Sequence, residues 1–174
     1  MAATRSSDDR DDARVPAVKP SSAELVDIET LTAELDGKEL PGATLDIDEY
    51  KSVLADYALL ANDGNGSEAH MLWFLVLSLR GMGISVDDLC DLAAKRPQDT
   101  LLFGNCELKQ HRPLRVGSTF TMTAKVGPVS RKTTRKGDIL DFVTVRTSVF
   151  EGDVSAGTPA GEVINGYIFR RGAQ

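Results

Sequence analysis

The apolar positions of this chain change their period once, near residue 101. Before that point they recur at helical spacing. Leu25, Ile28, Leu31 and Leu35 predict a helix over residues 22–35 that Gly37 can stop. Leu40-Pro41-Gly42 reads as a turn. Tyr50, Val53, Leu54, Tyr57, Ala58 and Ala61 then make one continuous stripe, predicting a second helix over 48–61. Asp46 or Asp48 can cap it, and Asn62-Asp63-Gly64 ends it. A third helix runs from Ala69 to about Arg80, before Gly81 and Gly83. Its residues 71–77 are all apolar, which leaves no face for water and predicts enclosure on every side. Ser85-Val86-Asp87-Asp88 opens a short fourth helix that stops before Pro97.

Beyond residue 101 the period is two. Strands are expected over 102–111, 119–129, 139–150 and 163–170. Phe120, Met122, Ala124 and Val126 alternate with Thr119, Thr121, Thr123 and Lys125, as in a half-buried antiparallel strand. Arg135-Lys136-Gly137-Asp138 supplies a hairpin turn, and residues 155–161 supply a looser one. Helices followed by a meander describe an α+β domain, its antiparallel sheet wrapped around a buried central helix. Residues 1–22 carry Arg5, Asp8, Asp9, Arg10, Asp11, Asp12 and Arg14 with no apolar period. They read as a disordered tail, leaving 23–174 as one domain.

Charge sharpens this picture. The net charge is -6, yet residues 107–146 hold nine Lys/Arg against three acids, so that segment is +6 and the remainder -12. An acidic chain with one basic segment argues against a nucleic-acid partner. It suits a local anion such as the phosphates of a cofactor-like group, or simply a solvated turn over residues 131–138. Cys90 and Cys106 form no CxxC pair and no ligand cluster, so they read as reduced core thiols of a cytoplasmic protein with no metal. No apolar run is long enough to span a bilayer, so no membrane partner is expected.

Candidate chemistry gathers just before the third helix, where Asp63, Asn65 and His70 (one of only two histidines) fall within nine residues. Polar groups at the mouth of a buried helix are either a solvated turn and cap or an active site. Both readings stay open here: Asp-Gly-Asn-Gly suits any tight turn, and His70 suits a helix start.

Several segments, in their order along the chain, resemble the hot-dog fold and within it the MaoC-like and FAS1-like dehydratases. They are Leu35-Asp36-Gly37-Lys38-Glu39-Leu40-Pro41, the 50–61 helix, the apolar helix from Ala69, His111-Arg112-Pro113-Leu114-Arg115-Val116-Gly117-Ser118, and the strand from Gly161. The resemblance implies hydration of an enoyl-CoA, or dehydration of a 3-hydroxyacyl thioester on CoA or acyl carrier protein, with no further cofactor. It implies Asp63 and His70 as the acid-base pair around one water, and Asn65 as a binding residue on the same loop. Gly66 stands where the family has Pro, Glu68 stands where it has His, and His70 comes two residues late. Trp73 would line the acyl tunnel, and Arg112, Arg115, Arg131 and Lys132 would meet the phosphates of CoA. A lone hot dog exposes a sheet edge, so a second hot-dog chain, identical or different, is expected to complete the sheet. This chain would then be either the catalytic subunit or the acyl-pocket partner of one. A hot-dog thioesterase using Asp63 or Glu68, or a non-catalytic acyl-thioester-binding protein, are the alternatives.

Overall fold

The alternation of residues 119–126 is realised as strand β5 (Thr119–Val126), with Phe120, Met122, Ala124 and Val126 turned inward. The computed structural model describes residues 24–61 and 66–172, so the expected tail lies outside the described residues. Around β5 an antiparallel sheet assembles in the order β1 (Glu39–Asp46), β5, β7 (Ile139–Glu151), β8 (Gly161–Arg171) and β3 (Thr100–Gln110). A further strand, β6 (Ser130–Thr133), pairs with the first residues of β7, while β5 pairs with its remainder. Arg131 and Lys132 therefore belong to a strand, and the turn is confined to residues 134–138.

Residues 39–46 form strand β1 instead of the expected turn. Pro41 and Gly42 sit where the register shifts between Leu40 and Ala43, a bulge that tolerates the missing proline N–H. Gly42 in turn abuts Gly83. A Cβ on Gly83 would lie 2.2 Å from the Gly42 carbonyl oxygen, and Gly83 has φ +73°. Only glycine allows this approach. It seats β1 against the turn that follows helix α3 (Leu72–Arg80).

Helix α3 lies across β8, β7, β5 and β3. Phe74, Leu77 and Ser78 are buried beneath it, whereas Leu72 and the preceding Met71 are exposed and Trp73, Leu75, Val76 and Leu79 are half-buried. The expected enclosure on every side is not met within one chain, because a single sheet covers only one face of a helix. Helix α1 (Ile28–Leu35) and helix α4 (Val86–Leu92) bury Leu31, Leu35 and Leu89 in a second cluster with Val143, Val145 and Phe169. The Ser85–Asp88 capping box of α4 forms with both of its reciprocal bonds.

Helix α2 (Glu49–Ala58) departs most from expectation. Its apolar stripe faces outward and the only residue it buries is Ser52. Cys106, expected in the core, is exposed on β3, while Cys90 is half-buried.

Opposite the start of α3, at the far end of the sheet, sits a buried ionic network that the periodicity does not announce. Asp99 receives Arg96 at 2.9 Å and Arg171 at 2.9 Å. Asp141 receives Arg171 at 2.7 Å and Arg131 in a fork at 2.6 and 2.8 Å. Burial pushes the Asp99 carboxyl up, but the bonds from Arg96, Arg171 and the Gly172 N–H outweigh it and lower it from 3.8 to about 2. A folded value below the unfolded one adds stability above pH 4 that is lost as pH falls towards 2. Asp99 alone is expected to remove about 2 kcal/mol across that window. Urea unfolding measured against pH checks this, and Asp99→Asn should flatten the slope.

Candidate functional site

The start of α3 is tied down by a two-stranded ribbon. Strand β2 (Glu68–Ala69) pairs with β4 (Leu114–Arg115), and the Val116 N–H donates to the Ser67 carbonyl at 3.0 Å. This brings the His111–Ser118 segment beside Ser67, Glu68 and Ala69. Asp63 and Asn65 lie outside the described residues.

His70 follows the ribbon directly. Its Nδ1 accepts the Leu72 N–H at 3.1 Å, which answers one of the donors a helix start leaves over. A neutral imidazole accepting at Nδ1 carries its proton on Nε2. The next two amides are also engaged: Trp73 N–H donates to the His70 carbonyl and Phe74 N–H to the Met71 carbonyl. The first three N–H groups of α3 are thus all satisfied inside the chain and do not form an open oxyanion site.

Two donors, one on α3 and one on the 111–118 segment, are not satisfied. The Trp73 indole N–H and the Arg112 Nε–H are buried without an acceptor among the described residues. Trp73 packs on a cluster that includes Ala69, Leu114 and Ala160. Arg112 is anchored to the same place, since its backbone N–H donates to the Ala160 carbonyl at 3.0 Å. Ser67, Glu68, Arg112, Pro113 and Arg115 line a depression of about 200 Å³. Leaving a buried donor unpaired costs about 1–3 kcal/mol. The Arg115 side chain is mostly exposed, 3.9 Å from Glu151.

The expected phosphate cluster is divided. Arg131 is committed to Asp141, which holds its guanidinium pKa above the ordinary value. Lys132 rests over the Phe142 ring, 5.2 Å from its centroid. Asp141 pairs with Phe169 of β8, whereas Arg112 binds beside Gly161. Eight residues of strand separate these positions, roughly 26 Å. Arg131 and Lys132 therefore do not join Arg112 around one phosphate group. Arg115, which the sequence reading names with Arg112, lines the same depression; its ribbon pairing with Glu68 is a long-range feature with no local signal.

Among the described residues no group of His, Cys, Asp and Glu could hold a metal ion. No described helix is long and apolar enough to cross a membrane.

No protein-family model matches the chain, and no curated protein matches it. Solved structures do. The ChsH1-ChsH2 complex of Mycobacterium tuberculosis is similar over 84% of this chain and 90% of its own, at 17% identity and a TM-score of 0.58. A hot-dog-like protein from Thermanaerovibrio acidaminovorans is similar over 83% of this chain and 87% of its own, at 12% identity and a TM-score of 0.58. The chain has the hot-dog fold. A third hot-dog relative by shape, the HadBC (3R-hydroxyacyl-ACP dehydratase) complex of Mycobacterium tuberculosis, covers 79% of this chain and 98% of its own, at 12% identity and a TM-score of 0.56. In hot-dog terms α3 is the central helix, and β3 and β1 are the two edges of the wrapping sheet.

Proposed function

We propose that this chain is the acyl-pocket subunit of a MaoC-like hot-dog hydratase, an assembly that hydrates an enoyl-CoA or dehydrates a 3-hydroxyacyl thioester. The observation that carries this reading is the corner at the start of α3. There Arg112 and Arg115 line one depression, a basic rim suited to a ligand rich in phosphate oxygens. At the same time His70 is engaged as a helix cap. Such a site suits a thioester but holds its histidine away from chemistry, leaving Glu68 as the described carboxylate at the depression. Arg112 and Arg115 would steady the phosphates of CoA or the phosphopantetheine of acyl carrier protein, and Trp73 would flank the acyl chain.

A second chain is part of the proposal. Strand β3 is an open edge, exposed along most of its eleven residues, with Leu102 and Phe103 uncovered beside the half-exposed flank of α3. A long apolar edge of this kind invites a further strand. Two of the structures this chain resembles are named as complexes of unlike hot-dog chains. A partner hot dog would extend the sheet, cover the flank of α3 and bring its own acid-base pair.

The catalytic alternative has one favourable feature: with Nδ1 occupied, His70 would present Nε2–H as the proton donor and leave Asp63 as the base. The two are separated by assay with crotonyl-CoA, which loses its enoyl absorbance on hydration. The chain alone is expected to be inactive, and a catalytic hot-dog partner should restore hydration that survives His70→Ala and Asp63→Asn. A loss of about 10² to 10⁴-fold in either variant would move catalysis to this chain. Release of free thiol would make it a thioesterase.

A further inference from the structure

Helix α2 is amphipathic and faces the wrong way for a lone molecule. Tyr50, Val53, Leu54, Tyr57 and Leu60 retain 65%, 60%, 55%, 81% and 89% of their surface, whereas Ser52 on the opposite side is buried at 3%. With about 150–250 Å² for a free aromatic and somewhat less for Val or Leu, these five leave roughly 700 Å² of side chain open, Leu60 lying just past the C-cap Leu59. The largest apolar patch on an ordinary monomer is about 300–600 Å². One partner's share of a stable interface is about 800 Å². The patch therefore has the size of an interface and not of a chance exposure.

Its pattern says what covers it. Read along the helix, the exposed stripe is Tyr50, Val53, Leu54, Tyr57, which has the same spacing and the same chemistry in both directions. Packed antiparallel against a second α2, with a two-fold axis passing beside Val53 and Leu54, Tyr50 of each copy meets Tyr57 of the other. The aliphatic pairs meet at the axis. A face symmetric about its own centre is the requirement of an isologous contact.

We propose that the outward face of α2 is the docking surface for a second copy of this chain, two α2 helices packing antiparallel about a two-fold axis. The helix follows β1, the sheet edge opposite β3, along the chain. The contact holds whether or not the hydratase reading is correct.

The test uses the full chain and sedimentation velocity. Tyr50→Glu with Tyr57→Glu makes one variant, and Tyr50→Lys with Tyr57→Lys makes the other. Both sites are exposed, so circular dichroism should be unchanged. Each variant alone should fall to half the wild-type mass at micromolar concentration, with the dissociation constant raised at least about a hundredfold. Mixed together, the two should regain the wild-type mass, since carboxylates at 50 and 57 would face ammonium groups at 57 and 50. Several results would overturn the proposal: a monomeric wild type, variants of wild-type mass, or a mixture that stays dissociated. Assembly only with a different hot-dog chain, or altered acyl-CoA affinity at constant mass, would equally exclude a second copy as the occupant.

Discussion

Replacing Asp141 with alanine is expected to lower the unfolding free energy by about 3–5 kcal/mol, measured by urea unfolding at neutral pH. The carboxylate is fully buried and receives Arg131 and Arg171 through three bonds of 2.6 to 2.8 Å. The network it belongs to holds three guanidiniums, from Arg96, Arg131 and Arg171, against two carboxylates, from Asp99 and Asp141. Removing one carboxylate leaves a single negative charge among three positive ones in a buried region. Arg171 would keep Asp99 and the Ala93 and Ala94 carbonyls, which bounds the loss. The network joins the loop after α4, the β6–β7 hairpin and the end of β8, so its failure should be global and cooperative. A loss below about 1 kcal/mol, the range of an exposed pair, would mean that water reaches this end of the sheet.

Phe74→Ala should cost a similar amount, about 3–5 kcal/mol. The ring is 1% exposed and fills the space above Gly161, where a Cβ would come within 2.5 Å of it. It seats the first turn of α3 on β8, beside the residues that bear on function. Leu72, two positions earlier on the same helix, points outward, and Leu72→Ala should change the stability of the single chain by no more than about 0.5 kcal/mol. Denaturant unfolding of both variants at low and high protein concentration makes the comparison sharp. A large effect at Leu72 that grows with concentration would show that a partner covers this flank of α3.

Much of the architecture was readable from local pattern. The alternation in β5, the Leu31 and Leu35 seam of α1 and the capping box at Ser85 appear where the periods place them. The central helix and the antiparallel meander appear too. Strand β1 was not readable, because Pro41 and Gly42 signal a turn whether they end a strand or sit in a bulge within one. The candidate site was legible at His70, Trp73 and Arg112, but not in how they are engaged. Nothing in the spacing says that His70 bonds Leu72, or that Arg131 turns to Asp141 ten residues on.

Secondary structure and the choice of fold followed from the sequence itself, because helical and strand periods are properties of neighbours a few residues apart, and their order along the chain restricts the topology. The direction in which an apolar stripe points, and the partner that each buried charge finds, were decided only by the tertiary structure. Helix α2 carries the same stripe whether the sheet or another chain covers it. The hydrophobic effect requires that apolar surface leave water and does not specify against what. Arg96, Asp99, Asp141 and Arg171 likewise lie up to 75 residues apart and meet only because β7 and β8 pair in one register, bringing their charges to the same buried end of the sheet.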